Sequence, residues 1–234
     1  MAATTNNPPL TRATLAAATE RVLRHASGAK PAILLVRSGG RHVIVKDFSQ
    51  SPWLTRHVYA RWLVGRETRA YARLAGLPGV PAFRGRLDDF AFAVDYVEGA
   101  TLNDLPHRDI PAKAFDELAT LIGCLHARGI IHFDCRQKTN VVLAPDGRPH
   151  LVDFASAVYV GTGWLGQRLL VPLLGWADWS GLRKLRARYR PETVTPEDAQ
   201  TLRRASWLGW LWPPTVLRRL ARRLRVRRRA QKKP

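Results

Sequence analysis

The sequence predicts an α+β protein in two parts, with strands concentrated before residue 97 and helices after it. Short apolar runs flanked by turn residues recur in the first part, whereas the second part opens with a strongly periodic helical segment at 114–129. One short hairpin interrupts the later helices, and no internal repeat is visible. We therefore expect a small strand-rich lobe followed by a helical lobe.

The first part begins with a polar, proline-rich stretch and then alternates helices with strand pairs. The first predicted helix has Leu15, Thr19, Val22 and Leu23 on one side. The turn Ser38-Gly39-Gly40 joins the first strand pair. In chain order, the predicted elements are a helix at 11–26, strands at 32–36 and 42–48, a helix at 55–75, and strands at 82–87 and 90–97.

The second part is predicted to be mostly helical. Gly129 ends the segment 114–129 as a helix stop signal. Asp146-Gly147 forms the turn of a hairpin at 140–154. Further helices are predicted at about 176–189, 197–210 and 215–229. We divide the chain into an N-terminal extension (1–29), a strand-rich lobe (30–97), a helical lobe (98–204) and a basic tail (205–234).

The formal net charge of +20 is concentrated at the C-terminus. The segment 218–233 holds eight arginines, two lysines and no acid, and its leucines share one face with Val216. This pattern is typical of a helix on an anionic membrane surface, or of a helix packed on the second lobe. We rank nucleic acid lower as a partner, because the basicity is an appended segment and not a uniform surface.

No stretch has the roughly 18 uncharged apolar residues that cross a bilayer. The segment 161–176 comes nearest and is interpreted as buried or interfacial. The chain has two cysteines without metal-ligand spacing, and its start lacks the charged and apolar regions of a signal peptide. These features indicate a cytoplasmic protein, with a peripheral location at the inner membrane face as the alternative.

Three polar side chains are expected to converge around the predicted hairpin. Asn140 opens one of its strands, Asp153 ends the other, and Asp134 lies in the loop before them. Because a hairpin brings its ends together, these groups must lie close to one another. Hard oxygen ligands beside substrate phosphates suit Mg²⁺, and a nearby carboxylate is placed to accept a proton from a hydroxyl.

The stretch 130–155, IIHFDCRQKTNVVLAPDGRPHLVDFA, resembles the catalytic and metal-binding loops of the protein-kinase superfamily. More closely, LHARGIIHFD and LVDFA resemble a compact bacterial group related to RIO-type and lipopolysaccharide core kinases. The resemblance covers roughly 30–190. It implies a two-lobed kinase-like fold with a truncated helical lobe, ATP and Mg²⁺ as cofactors, Asp134 as catalytic base, and Asn140 and Asp153 as metal ligands.

The same resemblance assigns roles to four residues of the first part. It implies that Lys46, in the run VIVKDF, binds the ATP phosphates, and that Glu67 pairs with Lys46. Lysine suits a point-charge role that the forked arginine does not. It further implies that DYVEG (95–99) is a hinge, at which the backbone groups of Asp95 and Val97 bind adenine.

Three features depart from the family pattern. Asp134 and Asn140 are six positions apart where five are usual, so the loop must bulge. No G-x-G-x-x-G precedes Lys46, and only Ser38-Gly39-Gly40 stands in a hairpin turn. Ala155 replaces the glycine of D-F-G, and no A-P-E follows. We expect the usual peptide-docking segment to be missing.

Several neighbouring residues have more than one interpretation. His132 is expected to brace the loop, and His126 to lie at a helix end. Arg136 and Lys138 either neutralise the transferred phosphate or are surface charges. Asp178 either caps a helix, which we favour, or braces the loop from below.

The sequence thus predicts an ATP-dependent phosphotransferase that transfers the γ-phosphoryl group to a hydroxyl acceptor, a protein Ser/Thr or an envelope saccharide or lipid. Two alternatives remain: a catalytically inactive kinase-like nucleotide-binding module, and a peripheral membrane adaptor that acts through the tail.

Overall fold

The computed structural model describes residues 10–195 of the chain. The chain divides into two compact units, the first ending at Leu182 and the second beginning at Arg183. The first unit contains an antiparallel sheet followed by helices and small β-structures. The predicted helices at 197–210 and 215–229, and the basic tail at 205–234, lie outside the described residues.

The strand-rich part is a five-stranded antiparallel sheet with the order β1-β2-β3-β5-β4. A π-helical turn, Thr55–Ala60, and helix α2 connect β3 to β4. The predicted strand pairs and the helix near 55–75 are therefore confirmed. The elements are α1 (Arg12–Ala18), β1 (Thr19–Arg24), β2 (Ala32–Ser38), β3 (Arg41–Asp47), α2 (Arg61–Arg73), β4 (Phe83–Arg86) and β5 (Ala91–Asp95).

The predicted helix at 11–26 is wrong in its second half. Thr11 caps α1, and the helix ends at Ala18. Residues Thr19–Arg24 instead form β1, which pairs antiparallel with β2 in a register that includes Val22 opposite Leu34. The backbone bonds offered by the edge of the sheet override the helical spacing of the apolar residues.

Helix α1 covers part of the sheet. Leu15 is buried and joins a core cluster contributed by the sheet: Val36, Val43, Val45, Ala91 and Ala93. Arg12 fixes the helix at its start, because its guanidinium lies 2.5 Å from Asp47 and 2.7 Å from Asp88. These contacts hold the N-terminal segment against the sheet.

The helical part confirms the predicted segment 114–129 and the small hairpin. Strands β6, β8 and β9 form one sheet, and β7 pairs with β10. Helix α4 starts earlier than the predicted 176–189. The elements are β6 (Ala100–Thr101), α3 (Ala112–Ala127), β7 (Ile130–Ile131), β8 (Val141–Leu143), β9 (Pro149–Leu151), β10 (Val158–Tyr159) and α4 (Val171–Tyr189), with a π-helical turn at Gly166–Leu170 and 3-10 turns at His107–Asp109, Lys138–Asn140, Phe154–Ser156 and Pro191–Thr193.

Two glycines of α4 allow it to approach its neighbours closely. A Cβ added at Gly175 would lie 2.7 Å from the ring of His126, and one at Gly181 would lie 2.9 Å from the backbone nitrogen of Arg136. The absence of side chains at these two positions brings α4 against α3 and against the loop that follows β7.

The segment 161–176 is not buried, contrary to one of the two interpretations of its sequence. Trp164 is 74% exposed, and Leu165, Leu169, Leu173 and Trp176 are exposed as well. Within residues 10–195, none of the helices combines the length and the apolar character that crossing a bilayer requires.

Gly99, between β5 and β6, provides a test of the close packing at this connection. Its φ is +135°, and an added Cβ would lie 2.1 Å from the carbonyl oxygen of Leu143. We expect Gly99→Ala to lower the free energy of unfolding by about 3 kcal/mol, measured by chemical denaturation. Gly65→Ala is the matched control, because Gly65 lies inside α2 and its added Cβ meets no neighbouring atom within 4 Å. Gly65→Ala should raise the free energy of unfolding by roughly 0.5–1 kcal/mol. Equal effects of the two substitutions on the free energy of unfolding would contradict the close packing at Gly99.

Candidate active site

A cleft of about 290 Å³ lies between the sheet and the helical part of the first unit. Its volume is near the lower limit for small-molecule sites. The seven site residues predicted from the sequence span 107 positions, from Lys46 to Asp153, and five of them line this cleft. The lining includes Lys46, Asp95, Val97, Asn140 and Asp153, together with Leu23, Arg24, Ile33, Ile44, Tyr71, Pro81, Val94, Tyr96, Thr101, Thr139, Val142 and Val152.

Lys46 is the centre of a three-membered ion cluster in which Lys46 and Glu67 are buried and Asp153 is partly exposed. Its Nζ donates to Oε1 of Glu67 at 2.5 Å and to Oδ1 of Asp153 at 2.7 Å. Strand β3 places Lys46, and α2 places Glu67, which is 1% exposed. A buried charge is retained only when it is paired, so each member of the cluster depends on the others.

The charges of this cluster are set by burial and by one another. Burial alone lowers the pKa of Lys46, but the carboxylates of Glu67 and Asp153 raise it well above its ordinary value overall. Burial raises the pKa of Glu67, against the opposing effect of Lys46. Burial alone raises the pKa of Asp153, but Lys46 holds that pKa below its ordinary value overall. Lys46 is therefore present as the charged ammonium and Asp153 as the charged carboxylate.

The loop between β7 and β8 absorbs its extra residue in two successive turns. The N–H of Gln137 donates to the carbonyl of Asp134 at 3.1 Å, and the N–H of Asn140 donates to the carbonyl of Gln137 at 3.0 Å. The side-chain amide of Asn140 then donates back to the carbonyl of Asp134 at 3.3 Å. The six-position spacing thus still places Asn140 against Asp134, and the predicted bulge is present.

Asp134 lies at the surface end of this loop and is half-buried. Burial raises its pKa, while His132 and Arg136 act in the opposite direction. Arg136 is exposed and Lys138 is partly exposed. The carboxyl is therefore partly accessible to solvent, with the positive charge of Arg136 and the negative charge of Asp153 as its charged neighbours.

Asp178 braces the loop from inside α4. Its carboxylate accepts the backbone N–H of His132 at 2.8 Å and of Phe133 at 2.7 Å, and it lies 3.1 Å from Nε2 of His126. Its position inside the helix excludes the capping role that we favoured from sequence. His126 at the end of α3 is accordingly a partner of Asp178. Sequence spacing did not reveal these contacts, because 46 positions separate Asp178 from His132.

A series of edge-to-face ring contacts connects the loop to α2. His132 is fully buried with its ring 4.8 Å from that of Phe154, and Phe154 lies 5.0 Å from Tyr71. Tyr71 in turn contacts Phe92 of β5 at 6.2 Å. Burial lowers the pKa of His132, so this ring is neutral near pH 7. Tyr71 and Phe154 were not identified from the sequence as site residues.

Asp153 reaches the cleft through an unusual backbone conformation. Its φ and ψ are 65° and 74°, in the left-handed region, and its side chain accepts the N–H of Ala155 at 3.4 Å. Left-handed residues other than glycine are uncommon and often occur at functional sites. The turn Phe154–Ser156 follows directly, so Ala155 is accommodated where the family pattern has glycine.

The connection after β5 presents free backbone groups to the cleft. The N–H of Asp95 donates to Ala82 and that of Tyr96 to His42. In the described part of the chain, the N–H and C=O of Val97 have no backbone partner. The side chain of Asp95 points to Arg84, with contacts of 2.5 and 2.6 Å. Val97 is thus the better placed of the two predicted residues to bind a planar base.

The Ser38-Gly39-Gly40 turn does not border the cleft. That turn lies at the far end of β2 from Ile33, which lines the cleft and pairs with Lys46. Leu23 and Arg24 at the end of β1 also line the cleft, so the loop 25–31, which joins them to Ile33, lies next to it. It contains Gly28 at φ +57° and a backbone bridge between Ser27 and Lys30. The misassigned helix at 11–26 concealed this loop.

Asn140 and Asp153 provide oxygen donors that suit a magnesium ion. Among residues 10–195, no group of three or more His, Cys, Asp or Glu side chains could hold a metal. Mg²⁺ does not require such a cage, because it keeps waters and substrate phosphates as ligands beside one or two protein oxygens. The donor set therefore fits this ion.

Comparisons with known proteins agree with the architecture. No protein-family model matches the chain. A stretch of 68 residues is 43% identical to the PAS domain-containing serine/threonine-protein kinase of Mus musculus, and covers 28% of this chain but 5% of the mouse protein. The structure of the Rio2 kinase-ADP/Mg²⁺-phosphoaspartate complex from Chaetomium thermophilum is similar with a TM-score of 0.55 and 16% identity.

The match to Rio2 kinase covers 79% of this chain and 62% of that chain, so this protein spans less than two thirds of its structural neighbour. At 16% identity the likeness shows the fold. The chain has a two-lobed, kinase-like α+β fold with a small strand-rich lobe, and the predicted fold class is confirmed.

Removal of the Asp178 carboxylate should destabilise the protein. Asp178→Ala leaves two buried backbone N–H groups and His126 without their acceptor. We expect the free energy of unfolding to fall by about 3 kcal/mol in chemical denaturation. Asp146→Ala removes an exposed carboxylate beside Arg148. This substitution should change the free energy of unfolding by less than about 1 kcal/mol. A loss at Asp178 as small as that would contradict the bracing role.

Burial of His132 predicts a dependence of stability on pH. The pKa of its imidazole is lower in the folded than in the unfolded state, where it is about 6.5. Below that value the unfolded state binds more protons, so the free energy of unfolding falls as the pH falls. We expect this decline between about pH 7 and 5.5 to be shallower in His132→Gln, measured by denaturation at a series of pH values. Parallel curves for both proteins would refute the assignment.

Proposed function

We propose that this protein is an ATP-dependent phosphotransferase of the protein-kinase superfamily, related to the compact RIO-type and lipopolysaccharide-kinase-like group. The observation that carries the proposal is the convergence of Lys46, Asn140 and Asp153 on one cleft. Glu67 pairs with Lys46 behind the cleft wall, and the side-chain amide of Asn140 donates to the backbone carbonyl of Asp134. Structural roles alone do not require a buried cation and two carboxylates at a cavity wall, because such clusters seldom increase stability.

The nucleotide is proposed to bind with its base at Val97 and its phosphates toward Lys46. The backbone groups of Val97 offer one donor and one acceptor to adenine, between the apolar side chains of Ile33, Ile44 and Val142. The ammonium of Lys46 is held by Glu67 in a fixed position for the phosphate oxygens. The loop 25–31 follows Leu23 and Arg24, which line the cleft, and we propose that it borders the bound phosphates.

Asn140 and Asp153 are the residues that would hold Mg²⁺, which supplies neutralisation of the phosphate charge when bound. In the reaction, the acceptor oxygen forms a bond to the γ-phosphorus while the bond to the β–γ bridging oxygen breaks and ADP leaves. Asp134 orients the acceptor hydroxyl and receives its proton. The burial that raises the pKa of Asp134 makes its carboxylate a better proton acceptor. Catalysis is then mainly positioning and electrostatic stabilisation.

The acceptor is proposed to be a hydroxyl that is not presented by an extended peptide. After Asp153 the chain passes through β10, whose continuation Val160 donates to Gly129, and reaches the helical turn at Gly166–Leu170. This short connection replaces the longer segment on which peptide substrates dock. A saccharide or lipid-linked hydroxyl fits this arrangement, and a protein Ser/Thr is the alternative. The use of ATP favours a cytoplasmic location.

The test is transfer of labelled γ-phosphate from ATP to cell-envelope and soluble protein fractions. We expect the wild type to label an acceptor in the envelope fraction. Asp134→Asn should reduce the rate by at least about 100-fold, while nucleotide binding, measured by calorimetry with ATP and Mg²⁺, is retained. Asp153→Ala should reduce both transfer and Mg²⁺-dependent binding.

Asp146→Asn is the matched control, since it changes an exposed carboxylate in the hairpin turn and should leave transfer unchanged. Two outcomes would overturn the proposal in different ways. Wild-type transfer by Asp134→Asn would remove its catalytic role. Binding of ATP without transfer or hydrolysis by the wild type would identify the chain as an inactive nucleotide-binding module.

A further inference from the structure

A cluster of exposed aromatic and aliphatic side chains covers the outer face of the helical segment between β3 and β4. Trp53 and Leu54 are each 67% exposed, and Trp62 is 52% exposed. We call the set the outer cluster; it consists of Trp53, Leu54, Val58, Tyr59 and Trp62. Exposed tryptophans on a folded unit are costly, so a patch of this composition marks a surface that another phase or partner covers.

The outer cluster forms a single stripe. Leu54, Val58 and Trp62 follow one another at intervals of four residues, which places them on one side of a helix. Trp53 and Tyr59 flank this stripe, and the ring of Tyr59 lies 6.3 Å from that of Trp62. The opposite side of the same segment is buried, through Leu63, Val64 and Glu67. The side chains of the apolar stripe therefore take no part in packing the core.

Positive charge surrounds the stripe. The sequence 52–73 contains five arginines and a single acid, Glu67, which is buried against Lys46. The guanidinium of Arg66 lies 4.9 Å from the ring of Trp62, so a cation is held directly over an exposed aromatic. Asp89, which pairs with Arg61, comes from the neighbouring loop. The face thus combines aromatic side chains with net positive charge.

A second exposed cluster has the same composition. Trp164, Leu165, Leu169, Leu173 and Trp176 are exposed, Arg168 lies among them, and residues 157–176 contain no acid. Its segment is joined to α2 by Arg66, whose Nε donates to the carbonyl of Ala157 at 2.8 Å. The repetition of one chemistry on two neighbouring segments favours an extended partner over a single short peptide.

We infer that the outer cluster docks on an anionic phospholipid bilayer. Tryptophan and tyrosine prefer the bilayer–water interface, and arginines beside them attract anionic headgroups. The chain's own C-terminal segment 218–233 does not complement this face, because it repeats the positive charge. A protein partner would need acidic groups around an apolar surface. This inference is independent of the proposed phosphotransferase activity, because none of the cluster side chains lines the cleft.

The test is co-sedimentation of the full chain with phosphatidylcholine–phosphatidylglycerol vesicles, compared with vesicles of phosphatidylcholine alone. Trp53→Ser/Trp62→Ser removes the two exposed indoles and leaves every charge, including those of the tail, in place. We expect its partition coefficient on the mixed vesicles to fall by about tenfold or more. Leu54→Ser/Val58→Ser tests the same stripe without altering an aromatic residue.

Val22→Ser is the matched control, because Val22 is exposed on β1 outside both clusters. It should bind like the wild type, and melting temperatures of all variants should agree to show that they are folded. Mixed-vesicle binding that is equal in the wild type and in both double variants would overturn the inference and attribute any binding to the tail. Loss of binding in both double variants but not in Val22→Ser would establish the surface.

Discussion

The buried ammonium of Lys46 determines the geometry of the cleft in the first unit. It bonds to Glu67 from α2 and to Asp153 from the turn after β9, so one cation joins the strand-rich part to the helical part. Loss of the charge would leave the buried carboxylate of Glu67 without a partner, a change that costs several kcal/mol. The arrangement also explains the left-handed backbone of Asp153, which directs its carboxylate toward Lys46.

The loop before β8 depends on a second, separate set of contacts. Asp178 holds the backbone of His132 and Phe133 from one side, while the stack of His132, Phe154 and Tyr71 packs from the other. Gly181 lets α4 come close enough for this contact. Asp134 is therefore positioned by backbone bonds and ring packing at its neighbours.

Local sequence signals predicted most of the fold, but not all of the connections. The strand pairs and α3 follow from turn residues and periodicity, whereas the pairing of Lys46 with Glu67 was implied by the resemblance to kinases. Strand β1 was missed because its hydrogen bonds come from β2, a non-local interaction that residue spacing does not encode. The contact of Asp178 with the loop likewise depends on how α4 packs.

Helix α2 has two functional sides on one rigid rod. Its inner side carries Glu67, and its outer side continues the segment that bears the outer cluster. Trp62 and Glu67 are five residues apart on this helix, which is little more than one turn. The exposed surface at Trp62 is therefore within about 8 Å along the helix axis of the residue that pairs with Lys46.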